Sequence, residues 1–195
     1  MKVAFCTGAP MLNGMSRISR ALLLVLTLLT SACAMVAGGP VGNKAVPGPA
    51  KPVDLSLYLG RWYEIARYEA SFQRGCEAVT ADYSLRPDGM IRVLNACRQD
   101  RVDGPVKQAE GRAYVVEGSQ NAKLRVSFFG PFYGNYWVLD HVDDYSWSIV
   151  GEPSGRYLWL LARQPHPPAH VVSDLKARTA SLGYDLSWLR MTQHP

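Results

Sequence analysis

The chain has no run of Lys and Arg interleaved with aromatics, so the electrostatic footprint of a nucleic-acid binder is missing. No apolar stretch reaches the roughly 20 residues that a helix needs to cross a bilayer. There is no G-x-S-x-G elbow; Gly151-Glu152-Pro153-Ser154-Gly155 reads as a hairpin turn instead. His166 and His170 are spaced as metal ligands on a helix could be, but Pro167 and Pro168 lie between them. No carboxylate or third histidine is placed to join them. His141 and His194 read as surface residues. These absences predict no catalytic residue, no metal and no cofactor. No internal repeat or second folded domain is visible in the 195 residues, and their 48% hydrophobic content is enough for one core.

The net charge of +5 is not spread evenly. Lys2, Arg17 and Arg20 fall in residues 1–32, which hold no acid, so from Cys33 onward 18 of the 21 basic residues face 16 acidic ones. Residues 1–32 read as a signal peptide: Arg17 and Arg20 form a basic flank, Ala21 to Leu29 an apolar run, and Thr30-Ser31-Ala32 small residues before Cys33. The end of this segment resembles the lipobox of bacterial lipoproteins, in which the cysteine thiol is acylated. Thr30 departs from the usual Leu, and Leu29 comes one place early; ordinary signal cleavage near Cys33 is the alternative. Inner-membrane retention in such lipoproteins uses Asp after the cysteine. Ala34 stands there, which implies the outer membrane. Residues 1–14 do not look like the start of a signal, so Met15 is a candidate true start and Cys6 then lies outside the protein. Residues 33–52 are rich in Gly, Pro and Ala and read as a flexible tether, with a reach of about 25 Å for a chain of this length.

From residue 53 the texture changes to short alternating runs split by turn residues. Gly60 to Tyr68 reads as a strand entered through a turn, with Trp62, Glu64 and Ala66 on one face and Tyr63, Ile65 and Arg67 on the other. Glu77–Leu85, Met90–Arg98, Val106–Val116, Leu124–Phe129, Asn135–Val142, Trp147–Val150 and Tyr157–Arg163 complete eight strands. The fold class expected is all-β: an eight-stranded up-and-down antiparallel barrel, wide enough for one small ligand. Pro165, Pro167 and Pro168 end the sheet, and Ala169 to Leu182 reads as one α-helix packed outside it. Val172, Leu175, Thr179 and Leu182 form its apolar stripe, and Gly183 stops it. Asp185 to Thr192 can return as a short closing strand. Cys76 and Cys97 flank the Arg86–Gly89 turn, so a disulfide is sterically open to them if their side chains share a face.

Gly60-Arg61-Trp62, Asp144-Tyr145 after Asp143, and Arg163 at the end of the last strand resemble, in order, the three signatures of the lipocalins. Asp143 departs from the usual Thr. G-R-W-Y-E-I-A-R-Y, Phe72-x-Arg74-Gly75, the Tyr83–Gly89 turn and Val126–Gly134 resemble the bacterial outer-membrane lipoprotein branch of that family over residues 53–192. In the family the arginine lies over the signature tryptophan, so Gly60, Trp62, Asp144, Tyr145 and Arg163 are expected to be structural. The resemblance implies a non-enzymatic carrier of fatty acids or lysophospholipids, lipid-anchored at the periplasmic face of the outer membrane, monomeric or a homodimer. Candidate cavity residues are the strand aromatics Tyr83, Tyr114, Phe128, Tyr136, Trp147 and Trp159; Phe72, Phe132 and Tyr133 fall on connecting loops, where lining or covering the mouth and contacting a membrane are equal alternatives. The alternatives are an envelope interaction protein whose cavity is filled by its own side chains, and an enzyme on the same frame.

Overall fold

The computed structural model describes residues 41–195, which belong to one compact unit spanning residues 39–195. The signal segment, Cys6, Cys33 and the first part of the expected tether lie outside the described residues. A one-turn helix, α1 (Leu55–Tyr58), is capped by Asp54, whose carboxylate accepts the Ser56 amide at 2.8 Å. Gly60, at φ +94°, turns the chain directly into β1 (Gly60–Tyr68). Then come β2 (Cys76–Leu85), β3 (Ile91–Gln99), β4 (Val106–Val115), β5 (Lys123–Phe129), β6 (Phe132–His141), β7 (Trp147–Gly151) and β8 (Leu158–Ala162). Each pairs antiparallel with the next, and β1 closes the ring by pairing with both β2 and β8. This is the eight-stranded barrel that the alternation predicts. The helix α2 (Ala169–Ser181) follows, with Leu175 and Thr179 fully buried against the outer wall. Arg178 reaches from it to Asp140 of β6.

The wall separates two apolar layers. Trp62, Tyr83, Ile91, Val93, Ala113, Leu124, Val138, Val150 and Leu161 form the interior. Ala66, Leu139, Ile149, Leu158 and Leu160 face outward and pack with Leu175 and Leu182 beneath α2. The Cys76–Cys97 disulfide is formed, across the β2–β3 hairpin. Because both apolar layers and the disulfide close within it, the unit holds its own folding determinants.

Four details depart from the sequence reading. First, β1 carries a bulge between Glu64 and Ala66. Trp62 and Glu64 face the interior, but Ala66 turns outward to α2 and Arg67 turns in beside Glu64. Second, Phe132 and Tyr133 belong to β6, and the β5–β6 connection is only Gly130 and Pro131. Third, residues 42–52 are laid along the outside of the barrel. The Gly42 and Asn43 amides donate to Gly155 O at 3.0 and 3.3 Å, Ala50 N–H to Leu139 O at 2.9 Å, and Lys51 Nζ to His141 O at 3.0 Å. Gly155 makes this approach feasible, since a Cβ there would fall 1.8 Å from Asn43 O. Fourth, the C-terminal return is split into a 3₁₀ turn (Leu186–Trp188) and β9 (Leu189–Met191). β9 pairs with the end of β1 where β2 has splayed away.

Candidate functional site: the barrel interior and its two ends

The closed end is built on Trp62, which is 0% exposed and donates its indole N–H to Tyr58 O at 2.8 Å. Arg163 covers the ring from outside, with the guanidinium carbon 3.7 Å from its centroid. Its nitrogens also donate to Arg61 O at 2.7 Å, to Tyr58 O and Leu59 O at 3.1 Å each, and to Leu57 O. These include the carbonyls that a helix as short as α1 leaves unpaired at its C-terminus. Burial lowers the Arg163 pKa from its ordinary value. Tyr145, at φ +56°, accepts the Asp54 amide on its hydroxyl at 2.7 Å, and Asp144 accepts the Ser146 amide at 2.8 Å. His141 is buried rather than on the surface: its ring stacks on Tyr145 at 4.3 Å and bonds Pro52 O at 3.0 Å. His194 is half-buried, bonded to Glu64 O at 2.8 Å.

Above this plug three tyrosine hydroxyls form a string. Tyr136 Oη lies 2.8 Å from Tyr58 Oη and 2.9 Å from Tyr83 Oη. Desolvation pushes the Tyr58 pKa up to about 12, and raises those of Tyr83 and Tyr136 as well. The three rings fill the lower barrel with apolar surface while keeping their polar ends paired.

The upper barrel is lined differently. On the inward face of β2 to β4 the residues are small: Ala81 pairs with Asn95, Asn95 with Ala109, Val93 with Gly111, and Ile91 with Ala113. Ala109 shares this inward face and is nevertheless exposed, so the interior is open to solvent at that level. Gly111 leaves room for Phe128, whose ring would stand 2.8 Å from a Cβ there. Lys107, one inward step nearer the open end, is also exposed.

The β1–β8 side carries charge. Arg67 and Glu64, 0% and 2% exposed, pair at 2.7 Å. Thr192 donates to the same Glu64 oxygen, and Gln73 donates to the other. Gln73 Oε1 accepts the Trp159 indole N–H at 3.0 Å, and Arg67 also bonds Glu69 and Gln73 O. A buried ion pair of this kind depends on its remaining polar atoms being satisfied, and here Arg67 Nε is the one left without a hydrogen-bond partner among the described residues. The 69–75 loop at the open end is thus clamped to the interior through the Gln73 side chain and through Arg67, which holds Glu69 and the Gln73 carbonyl.

Of the aromatics predicted to line a cavity, Tyr83, Phe128, Tyr136 and Trp159 face the interior. Tyr114 and Trp147 do not. Tyr114 is exposed on the outer face against Tyr133, because it neighbours the inward Ala113. Trp147 lies under α2 in a cleft with Asp140 and Arg178, because the register that points Ser148 inward points its neighbour out. Phe72 is at the rim, exposed, with its ring 5.6 Å from that of Tyr157. The sequence reading missed Tyr58, Glu64, Arg67, Gln73 and Thr192. The charged pair inside W-Y-E-I-A-R is the one signal that could have marked a break in the alternation.

A calyx closed by a tryptophan under an arginine, with a helix on its outer wall, defines a lipocalin. A family model for a lipocalin-like domain matches residues 53–194, and the chain belongs to that family. Its relatives narrow the branch. An outer membrane lipoprotein, Blc, of Vibrio cholerae is 39% identical over 175 residues, covering 89% of this chain and 98% of its own. The Blc of Escherichia coli K12 is 43% identical over 143 residues, covering 73% of this chain and 80% of its own. Apolipoprotein D of Macaca fascicularis is 34% identical over 183 residues, covering 87% of this chain and 95% of its own. Among solved structures, the cockroach allergen Per a 4 superposes with a TM-score of 0.60 at 16% identity, covering 78% of this chain and 96% of its own. Insecticyanin from Manduca sexta gives 0.58 at 20% identity, covering 81% and 86%.

Proposed function

We propose that the protein is a non-enzymatic carrier that holds one single-chain amphiphile, a fatty acid or a lysophospholipid, in the upper barrel. The observation that carries this reading is the exposed, inward-facing Ala109 above a sealed aromatic floor: the interior is open at one end and closed at the other. The chain would lie along Ala81, Gly111, Ala113, Val126 and Phe128, and each CH₂ withdrawn from water contributes about 0.8 kcal/mol before ordering costs. Lys107 near the mouth is placed to meet an anionic head. Acylation at Cys33 and action at the periplasmic face of the outer membrane belong to the same reading; the Cys33 motif supports the first, and the name of the Blc relatives, outer membrane lipoproteins, supports the membrane. Storage or transport of such lipids for membrane maintenance is the role that fits.

The test is native mass spectrometry of residues 39–195 after incubation with a mixed extract of bacterial lipids. The expected result is one single-chain lipid per barrel, lost in Val126→Glu and weakened in Lys107→Glu for anionic heads only. Retention of no lipid from the whole extract would end the carrier reading.

A further inference from the structure

The most exposed of the large apolar side chains among the described residues share one hairpin. Phe129 and Phe132, 81% and 80% exposed, face each other across the Gly130-Pro131 connection. The phenyl rings are held out at the open end of the barrel, where burial in the interior is not available to them. Below the tip, on the outer wall, a small polar pocket is lined by Arg86, Glu110, Arg112, Ser127 and the Gly130 backbone. Ser127 is 4% exposed, and its Oγ has no hydrogen-bond partner among the described residues. A buried hydroxyl in that state has given up its water bonds without replacing them until something bonds it. Arg112 is exposed, and no carboxylate pairs with it among the described residues. Arg86 is held at the pocket by Asp88 at 3.0 Å. The one carboxylate lining the pocket, Glu110, is neutralised by Arg92 at 2.6 Å. The Arg112 guanidinium, the Arg86 guanidinium shared with Asp88, and an unpartnered hydroxyl offer donors to the three acceptor oxygens of a phosphate.

Chain geometry points the same way. The strap 42–52 meets the barrel first at Gly155, in the β7–β8 connection at the open end, and runs toward the closed end, where Lys51 bonds Asp143 at 2.8 Å. Gly42 lies nine positions after Cys33, a span of at most about 30 Å. An anchor at Cys33 therefore holds the open end, not the closed one, toward the lipid.

We propose that the open end docks on a membrane bearing anionic phosphate headgroups. Phe129 and Phe132 enter the acyl boundary, and Arg112, Arg86 and Ser127 receive one headgroup phosphate. Apolar insertion and cationic attraction act together at such a surface, and each becomes effective where the other holds the protein at the interface.

Residues 39–195, which carry no anchor, are sedimented with vesicles of phosphatidylcholine alone and of phosphatidylcholine with phosphatidylglycerol. Binding is expected to the anionic vesicles, to fall with salt, and to drop about tenfold or more in Phe129→Ser/Phe132→Ser. Arg112→Gln should weaken it about fivefold on anionic vesicles, with no effect on phosphatidylcholine. Uptake of a fluorescent fatty acid should stay unchanged in Arg112→Gln, so a failure here is separable from a failure of the carrier reading. Three results overturn the proposal: no vesicle binding, binding indifferent to the double variant, or inorganic phosphate saturating the Arg112 pocket in a protein that ignores vesicles. A dimer in solution that the double variant dissociates would also overturn it, by assigning the phenyl pair to a second copy of the chain.

Discussion

Arg163 stacks on Trp62 at 3.7 Å while its guanidinium also binds backbone carbonyls at the end of α1 and the start of β1. One side chain therefore joins the first and last strands of the barrel to the helix that plugs it. Arg163→Met keeps the aliphatic stem and loses the rest. The expected cost is about 2–3 kcal/mol, from a partly desolvated cation–π contact and several carbonyls left unpaired. Arg163→Lys should recover less than half of that, because a point charge cannot serve the ring and the carbonyls together. Urea titration of the three proteins measures both.

The tyrosine string makes the fold sensitive to alkali. Folded Tyr58 keeps its proton up to about 12, whereas in the unfolded chain it leaves near the ordinary value of 10.0. Between those values the unfolded state binds fewer protons, so stability is fully present below the lower value and is lost as pH rises through the upper one. Tyr83 and Tyr136 act in the same direction. Denaturant midpoints should hold constant up to the lower value and fall steeply above it. Tyr136→Phe should cost about 1–2 kcal/mol at neutral pH and show a shallower alkaline decline.

Glu64 and Arg67 should behave as a unit. Arg67→Met alone leaves Glu64 buried without an opposite charge, at a cost of about 3–5 kcal/mol, whereas Glu64→Gln leaves Arg67 only its half-buried partner Glu69 at 3.2 Å and should cost less. The double variant should cost clearly less than the sum of the two. A double-mutant cycle read by denaturant unfolding gives the coupling, and additivity would show that the pair does not act together.

The Cys76–Cys97 bridge spans 21 residues of sequence. Loop-closure entropy at that length predicts a loss of about 3 kcal/mol in Cys76→Ala/Cys97→Ala. The thermal midpoint with and without reductant should differ in the wild type and coincide in the double variant.

Much of this architecture was legible because it depends on period. Alternation in β2 to β8 gave the strands to within a residue or two at most ends, and the change of period after Arg163 gave α2. What could not be read is where the period breaks. The bulge after Glu64 reverses every later side chain in β1, so Ala66 and Arg67 exchange the faces that strict alternation assigns. The same one-residue sensitivity placed Tyr114 and Trp147 inside when they are outside. The strap was misread for another reason. Its Gly and Pro content looks like that of a free linker, but Gly155 opposite it has no side chain, and that absence lets the backbones meet. Partners so distant in sequence leave no local pattern.

Thr192 has a consequence for the order in which the molecule comes into being. Its hydroxyl reaches Glu64 across 128 positions and fills the gap left where β2 leaves β1. A chain made from its N-terminus supplies the buried carboxylate long before the group that seals it. Until Thr192 arrives the barrel has seven tight seams and one that is half open. A chain cut before Thr192 would keep its eight barrel strands and lose its watertight wall.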